Sequence, residues 1–330
     1  MKRRLTMRLV AILSVLSLAV ALCGCTGEKK EETAENKTAD TSSLTIVTPT
    51  GAPVLAFYDQ IENANYTRVT ADAISALWTG DQSPDVLVVD LTSGVKAIEN
   101  GAEYKLAAII TFGNFYLAST GHDENETMDA DDKIVLFGNE NMLPSRLWHY
   151  LYGTDYDASL VYEADAQQAA AALASGKASD GSDVDYVFLA QPALFGSLKK
   201  NENAKIYADI QEEYKNKSGQ DMIQAAVFIK NSVDAATGNA FLQKLQASIE
   251  AAIADPTVVE SGLSVFKDDE ATAQYGFNPT VVVNVFKQKN ALGVNAMGLG
   301  FKKAIDIKSD IDAFLSIFSI NQTSEEIYFK

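Results

Sequence analysis

Short apolar runs alternate along the chain with stretches of helical spacing. Strands are predicted for the apolar runs at 44–48, 86–89, 106–110, 133–137, 186–190 and 223–229. Helices are predicted at 54–60, 145–151, 165–175, 241–253 and 311–318. Nearly continuous apolar strands are typical of sheets covered on both faces. Strands that alternate with helices predict an α/β protein whose sheets are mostly parallel.

The same order of elements occurs twice: a strand, a loop, a helical run, a second helix and another buried strand. The first copy spans residues 44–90 and the second spans 133–190. This duplication predicts two similar lobes, each with its own sheet. Ligands of open α/β sheets bind beyond the carboxyl ends of the strands. We therefore expect the loops after residues 48, 90, 138 and 190 to line one cleft between the lobes.

The amino-terminal segment has a different pattern. Four basic residues precede an apolar stretch, Leu9–Leu22, that is short for a membrane span. We interpret residues 1–24 as a lipoprotein signal peptide. Its end, Leu-Cys-Gly-Cys, resembles a bacterial lipobox and predicts lipidation of Cys25; the alternative is an ordinary secretory signal. Residues 25–43 are then the lipidated cysteine and a disordered tether, because they contain no large apolar side chain.

Composition narrows the function classes. The two cysteines, Cys23 and Cys25, both lie in this leader region, so we expect no disulfide, thiolate metal site or cysteine nucleophile. The two histidines, His122 and His149, do not suggest a histidine-rich metal site, and we predict neither a metal nor a cofactor. The net charge of −17 offers no basic face for phosphates, so we predict no nucleic-acid partner.

Six stretches follow one another in the order found in a known family. They are TPTGAP at 48–53, DVLVVDLTSG at 85–94, YKLAAIITFGN at 104–114, ADAQQAAAALASG at 164–176, DYVFLAQPAL at 185–194 and FLSIFSIN at 314–321. Together they resemble the nitrate/sulfonate/taurine/thiamine-precursor group of type II solute-binding proteins of ABC importers. The resemblance covers residues 44–330. No single stretch is diagnostic of the family, but the order of the six stretches is. The glycine-rich segment 290–303 departs from the family pattern, and its contribution stays open.

The resemblance implies a two-lobed type II periplasmic-binding-protein fold that closes by hinge motion. Lobe 1 would comprise 44–120 plus 230–330 and lobe 2 would comprise 121–229, with crossover segments near 118–133 and 222–232. It implies a monomeric, exported lipoprotein on the outer face of the cytoplasmic membrane. This receptor would capture a small solute and deliver it to the permease of an ABC importer, without catalysis. The alternatives are a surface lipoprotein that recognises a protein or wall component, and an enzyme on the same fold.

Candidate ligand contacts follow from the strand-to-helix loops, whose free N–H groups favour anions. Arg146 could grip a carboxylate or phosphate, although its helical position also suits a surface salt bridge. Phe112 suits the wall of a planar solute, although it could equally be core. Twelve further residues of these loops are candidate ligand contacts. The alternative for them is an ordinary helix start or a solvated turn. They are Thr50, Gly51, Ala52, Pro53, Thr92, Ser93, Gly113, Asn114, Asn139, Asn141, Met142 and Gln191.

The solute itself stays open between a planar or aromatic molecule and an anionic one. Aromatic residues near the predicted loops, Phe112, Phe115, Tyr116 and Phe137, favour a planar solute over a small inorganic anion. Asp90 ends a predicted strand near the cleft and could in principle act as a base. We expect it instead to hydrogen-bond the turn that follows.

Overall fold

The computed structural model describes residues 39–70, 73–122, 126–287 and 297–330. The predicted signal peptide, Cys25, tether residues 26–38 and residues 290–296 lie outside these ranges. The strands are β1 Ile46–Pro49, β2 Tyr66–Val69, β3 Val86–Asp90, β4 Tyr104–Thr111, β5 Phe115–Ser119, β6 Ile134–Phe137, β7 Leu160–Glu163, β8 Tyr186–Ala190, β9 Lys205–Asp209, β10 Ala225–Lys230 and β11 Leu299–Lys303. The α-helices are α1 Leu91–Glu99, α2 Leu143–Tyr152, α3 Ala166–Ser175, α4 Ala193–Leu198, α5 Ile210–Ser218, α6 Ala235–Ala254, α7 Thr257–Leu263, α8 Asp268–Tyr275, α9 Pro279–Lys287 and α10 Lys308–Ile317. Short 3-10 helices occupy Ala52–Gln60, Ala73–Leu77, Asp157–Ser159, Ala304–Ile307 and Glu325–Ile327.

The described strands form two sheets. Their strand orders are β11-β4-β10-β3-β1-β2 and β7-β6-β8-β5-β9. Strands β1, β2 and β3 pair in parallel, as do β6, β7 and β8. Each sheet also holds an antiparallel strand between two others: β10 lies between β3 and β4, and β5 lies between β8 and β9. The predicted α/β class, with two helix-flanked sheets, is confirmed.

The chain passes between the two sheets at other places than those predicted. Strand β4 ends at Thr111 and β5 begins at Phe115 in the second sheet, so the first passage is 112–114 and not 118–133. The second passage lies between α5 and β10, at 219–224, and overlaps the predicted 222–232 only in part. The prediction therefore assigned β5 and β10 to the wrong sheets. Apolar residues continue from β4 into β5 almost without a polar break, so the sequence pattern did not indicate that the chain leaves the first sheet there.

The core is shared between the sheets. Alternate side chains of a strand point to opposite faces, and they enter two different clusters here. Val88 of β3 and Val187 of β8 belong to one cluster, whereas Leu87 and Phe188 belong to the other. Burial on both faces explains the nearly continuous apolar strands. Residues 39–330 form one compact unit, and their division into two lobes stays a prediction.

Helix boundaries follow from capping residues. The Asp165 carboxylate accepts hydrogen bonds from the amides of Gln167 and Gln168 at the start of α3, and Gly176 ends the helix in a left-handed conformation, as predicted. Helix α6 is longer than the predicted 241–253, because Asp234 caps a new amino terminus. It packs against the 3-10 helix Ala52–Gln60 and β11, beside the first sheet.

Part of the predicted tether belongs to the folded unit. The hydroxyl of Thr41 accepts a 2.6 Å hydrogen bond from Lys244, and the carbonyl of Ser42 accepts one of 2.9 Å from the side chain of Asn65. Ordering therefore begins before the predicted boundary at residue 44, because backbone and hydroxyl groups find partners there without any apolar side chain. No helix within the described ranges has the length and apolar character that a membrane crossing requires.

Candidate functional site

The first passage joins the carboxyl edge of the first sheet to that of the second, and the second passage leads from the end of α5 to the carboxyl edge of the first sheet. At the first passage, β4 ends at Thr111, and Phe115 of β5 pairs with Ala190, the last residue of β8. At the second, Ala225 of β10 pairs with Asp90, the last residue of β3. The loops after β1 and β3 lie at the same edge of the first sheet, and those after β6 and β8 lie at the same edge of the second. The topology thus brings the predicted loops to the joined strand ends.

Asn114 and Gln191 meet at the first passage. Both are 1% exposed. The Asn114 side-chain amide donates to the Gln191 carbonyl at 2.8 Å, and the Gln191 N–H donates to the Asn114 carbonyl at 2.9 Å. The Asn114 Oδ1 and Gln191 Nε2 atoms are buried without a hydrogen-bond partner in the described structure, as is Oε1 of Gln224 at the second passage. Buried orphan groups are costly, so these three amides are suited to a polar ligand.

The neighbours of Asn114 define its surroundings. Phe112 is half-buried, and the Lys302 ammonium lies 5.1 Å from the centroid of its ring. Gly113 has a φ of 101°, and a Cβ there would lie 2.2 Å from Cε of Met222. Side chains other than glycine rarely adopt this positive φ, so the turn favours glycine. Phe112 is therefore neither fully buried nor fully exposed, so its ring could form one wall of a ligand site.

Thr92 and Ser93 lie in the first turn of α1 instead of in a loop. Asp90 caps this helix, because its Oδ1 accepts hydrogen bonds from the Ser93 amide at 2.9 Å and the Thr92 hydroxyl at 2.6 Å. The expectation that Asp90 bonds the following turn is confirmed. Thr92 is buried and its hydroxyl proton is used, whereas the hydroxyl of Ser93 is exposed. Of the two, Ser93 is the better placed to meet a solute.

The loop after β1 differs from the prediction in one respect. Its amides are not all free: the Thr50 N–H donates to the Val69 carbonyl at 2.9 Å, and the Gly51 N–H donates to the Tyr275 carbonyl at 2.6 Å. The segment from α8 lies against the loop, which the sequence pattern does not reveal. Ala52 is buried, and Pro53 lies in the first turn of the 3-10 helix. Both positions agree with the alternative that these residues form an ordinary helix start.

The corresponding loop of the second sheet is more open. Asn139 and Asn141 are exposed, and the Asn139 side chain accepts a 2.9 Å hydrogen bond from the Asn141 amide. Met142, 36% exposed, occupies the cap position of α2 without a side-chain hydrogen bond to the helix. Arg146 is half-buried on the first turns of α2, and its N–H donates to the Met142 carbonyl. The uncapped start of α2 is consistent with the predicted role of this loop.

Arg68 is a candidate that the sequence reasoning missed. Its guanidinium lies 5.2 Å from the ring centroid of Tyr66 and 5.1 Å from that of Tyr275. The Nε and Nη1 atoms are buried without a partner in the described residues, and Nη2 has a long 3.5 Å contact with Gln274. Arg68 pairs in the sheet with Thr48, which directly precedes the predicted loop. Its rarity was the only signal, since Arg68 and Arg146 are the only arginines after the leader.

The described residues contain one cluster with the donor types of a metal site. His122, Asp132 and Asp185 place one ligand atom each within 4.8 Å of the others. The hydrogen bond to Asp185 is the main cause that raises the pKa of His122 above its ordinary value. These residues lie at the amino ends of β6 and β8, at the opposite edge of the sheet from Gln191. They are thus separate from the joined strand ends.

Comparisons with known proteins support the architecture. No family model and no curated protein matches the sequence. The fold is similar to that of an ABC transporter protein from Parabacteroides distasonis (21% identity, TM-score 0.65, 85% of this chain and 92% of that chain). It is also similar to the ligand-binding component of an ABC-type import system from Staphylococcus aureus (13%, 0.59, 87% and 96%) and to the periplasmic aliphatic sulphonate-binding protein SsuA from Escherichia coli (12%, 0.57, 87% and 91%). The desulfurization enzyme DszB has the fold too (9%, 0.51, 86% and 96%).

At these identities the comparisons establish the fold alone. The chain has the two-sheet α/β fold of periplasmic solute-binding proteins, which confirms the predicted fold class. Since one protein of this fold is an enzyme, the fold by itself does not decide between binding and catalysis.

Proposed function

We propose that this chain is the extracytoplasmic solute-binding component of an ABC importer and captures a small molecule at the joined carboxyl edges of its two sheets. The observation that carries the proposal is the set of orphaned amide atoms there: Asn114 Oδ1, Gln191 Nε2 and Gln224 Oε1. A bound solute with donors and acceptors would satisfy groups that otherwise lower the stability. Closure of two lobes about the passages 112–114 and 219–224 would bury it.

The solute that best fits these surroundings is planar and carries an anionic group. The half-buried Phe112 ring offers a flat apolar surface beside the Lys302 ammonium. The Arg68 guanidinium lacks a carboxylate partner among the described residues and lies 5.1 Å from the ring centroid of Tyr275, whose carbonyl accepts from the Gly51 amide. The uncapped start of α2 adds donors that favour negative charge. An aromatic sulfonate or carboxylate has both required features.

Export and anchoring complete the proposal. The basic and apolar leader directs the chain across the membrane, and Cys25 carries the lipid that holds it on the outer face. A receptor held there delivers its solute to the permease of its importer as a monomer. Globomycin, which blocks lipoprotein signal cleavage, should make the expressed chain accumulate in its uncleaved form. Metabolic labelling with palmitate should label the wild type and not Cys25→Ala.

Ligand-dependent melting tests solute capture. The full-length chain is heated with benzenesulfonate, thiamine precursors, flavins, purines and nitrate, each in a separate series. A true solute at one hundred times its Kd adds about 2.7 kcal/mol to the free energy of unfolding. Phe112→Ala should weaken that response, while the exposed loop variant Ser264→Ala should keep it. Stabilisation by nitrate alone would contradict a planar solute.

The two rival functions give different results. A protein- or wall-binding lipoprotein would be stabilised by none of the small molecules, and its gene would not neighbour permease and ATPase genes. An enzyme would convert the stabilising solute, which mass spectrometry of the incubated mixture would detect. Native mass spectrometry of the freshly purified chain should instead show an unchanged small molecule bound with a stoichiometry of one.

A further inference from the structure

We propose that His122, Asp132 and Asp185 bind one divalent transition-metal ion, for which Zn²⁺ is the best fit, at the amino-terminal edge of the second sheet. One imidazole nitrogen and two carboxylate oxygens lie within 4.8 Å of one another. Zinc accepts nitrogen and oxygen donors in this combination and completes its coordination with water. Calcium and magnesium prefer oxygen donors alone, so the histidine selects against them.

The backbone fixes the position of these donors. Asp185 directly precedes β8, and its Oδ2 accepts a 2.8 Å hydrogen bond from the Lys133 amide at the start of β6. This bond leaves Asp185 Oδ1 facing Nε2 of His122 at 3.2 Å. Asp132 Oδ2 accepts a 2.6 Å bond from the Asp129 amide. Two of the three ligands are thus held by main-chain groups at the ends of neighbouring parallel strands.

His122 already has the outer partner that metal-bound histidines usually have. Its Nδ1 lies 3.0 Å from Oε2 of Glu126. A carboxylate on one ring nitrogen fixes the tautomer and turns the other nitrogen towards the metal. Three carboxylates around a single imidazole leave a net negative charge whether or not the ring is protonated, and a divalent cation offsets two of these charges.

An orphaned hydroxyl beside the cluster points to a ligand independently of these hydrogen bonds. The ring of Tyr186 stacks on His122 at 5.2 Å with an angle of 19°. Tyr186 is fully buried, yet its hydroxyl has no hydrogen-bond partner in the described structure. Water on a bound metal ion would provide the missing partner.

This site is independent of the proposed solute site. Asp185 and Gln191 lie at opposite ends of β8, roughly 20 Å apart, because an extended strand rises about 3.3 Å per residue. His122 and Asp185 are 33% and 31% exposed, so an ion can reach them from solvent. A metal here would hold the loop after β5 to the starts of β6 and β8 without touching the solute.

Isothermal titration of the metal-free full-length chain with ZnCl₂ tests the proposal. We expect one Zn²⁺ per chain and a higher melting temperature that EDTA reverses. His122→Gln and Asp132→Asn should each weaken Zn²⁺ binding by at least about tenfold. Glu126→Gln removes the outer partner of His122 and should also weaken binding by about tenfold or more. Tyr186→Phe should weaken binding less and keep the fold.

His149→Gln is the matched control. His149 Nε2 lies 2.9 Å from Oδ1 of Asp157, so it is also a half-exposed histidine with a carboxylate, but it lacks the further acidic groups. This variant should bind Zn²⁺ like the wild type. Equal weakening by His149→Gln and His122→Gln, unchanged binding in His122→Gln, preference for Ca²⁺, or no binding at millimolar Zn²⁺ would each overturn the proposal. If circular dichroism shows that His122→Gln or Asp132→Asn is misfolded, Asp185→Asn takes its place. It should likewise weaken Zn²⁺ binding by at least about tenfold.

Discussion

Gly94 of α1 lies directly against the ring of Phe228 in β10. A Cβ on Gly94 would be 2.0 Å from Cζ of that ring, much closer than atoms can approach. Phe228 is fully buried and also touches Trp78 edge-on at 5.3 Å. The ring therefore cannot turn away, and the helix can approach the sheet only because residue 94 has no side chain.

Gly94→Ala should therefore destabilise the protein even though alanine favours helix. The steric cost of about 1–3 kcal/mol exceeds the gain of roughly 0.5–1 kcal/mol in helix propensity. Urea unfolding followed by circular dichroism measures the difference. Gly196→Ala in α4 is the matched control, because nothing lies within 4 Å of its Cβ position. Gly196→Ala should be neutral or stabilising, and an equal loss in both variants would refute the steric explanation.

Asn114→Ala should lower the free energy of unfolding by about 1–3 kcal/mol. It removes the 2.8 Å hydrogen bond to the Gln191 carbonyl and leaves that buried oxygen without its side-chain donor. The same variant should lose its melting response to the solute if the orphaned Oδ1 contacts it. Asn139→Ala, at an exposed site, should change stability by less than about 0.5 kcal/mol. A stable Asn114→Ala protein with full solute response would contradict both roles.

Asp312 should make the protein sensitive to acid. Burial alone would raise the pKa of this carboxyl, but hydrogen bonds from Lys308 and Thr323 outweigh burial and hold it below its ordinary value of 3.8. A lowered pKa contributes stability above pH 3.8 that is lost as the pH falls through the folded-state pKa. Asp312→Asn should be less stable than the wild type near pH 7 by about 1–3 kcal/mol.

The gap between Asp312→Asn and the wild type should narrow as the pH falls below 3.8. Urea unfolding at a series of pH values between 7 and 3 measures it. The control is Asp81→Asn, at an exposed position. The difference in free energy of unfolding between this variant and the wild type should not change with pH. A stability difference that stays constant with pH would show that the charge of Asp312 does not provide the stability of its contacts with Lys308 and Thr323.

Arg68→Met should leave the ligand-free protein as stable or make it more stable. The change removes a buried charge without a carboxylate partner and keeps a long side chain between Tyr66 and Tyr275. Stabilisation by benzenesulfonate should disappear, while any response to a neutral planar solute should remain. Arg146→Met is the comparison. Loss of the sulfonate response in Arg146→Met alone would assign the anionic contact to α2 instead.

Local pattern was sufficient for six of the eleven described strands and four of the ten described α-helices. Strand β8 coincides with the predicted run 186–190. Helix α3 begins directly after Asp165 and ends at its predicted cap, Gly176. Both are specified by residues next to each other in the chain: unbroken apolar side chains in one case, and an aspartate and a glycine in the other. Strands β2, β5, β7, β9 and β11 were missed, because their apolar residues continue a neighbouring run or lie among polar and glycine residues.

The sequence predicted the strand ends at which the candidate site is proposed, but not the contacts that the structure shows there. Residues at the strand ends, such as Asn114 and Gln191, follow from the rule that ligands bind beyond parallel strands. The contact between Asn114 and Gln191 joins residues 77 positions apart. The hydrogen bond from the Gly51 amide to the Tyr275 carbonyl and the position of Arg68 beside Tyr275 depend on a segment more than two hundred residues away. Such contacts leave no periodic trace in the sequence.

The sequence by itself determined the α/β class, the duplicated order of elements and the acidic composition, because these depend on the spacing of apolar residues and on simple counts. Only the tertiary structure decided which sheet β5 and β10 join, and that His122 meets Asp132 and Asp185. Pairing between strands is set by the balance of burial over the whole unit, and carboxylates far apart in sequence become neighbours only when their strands lie side by side.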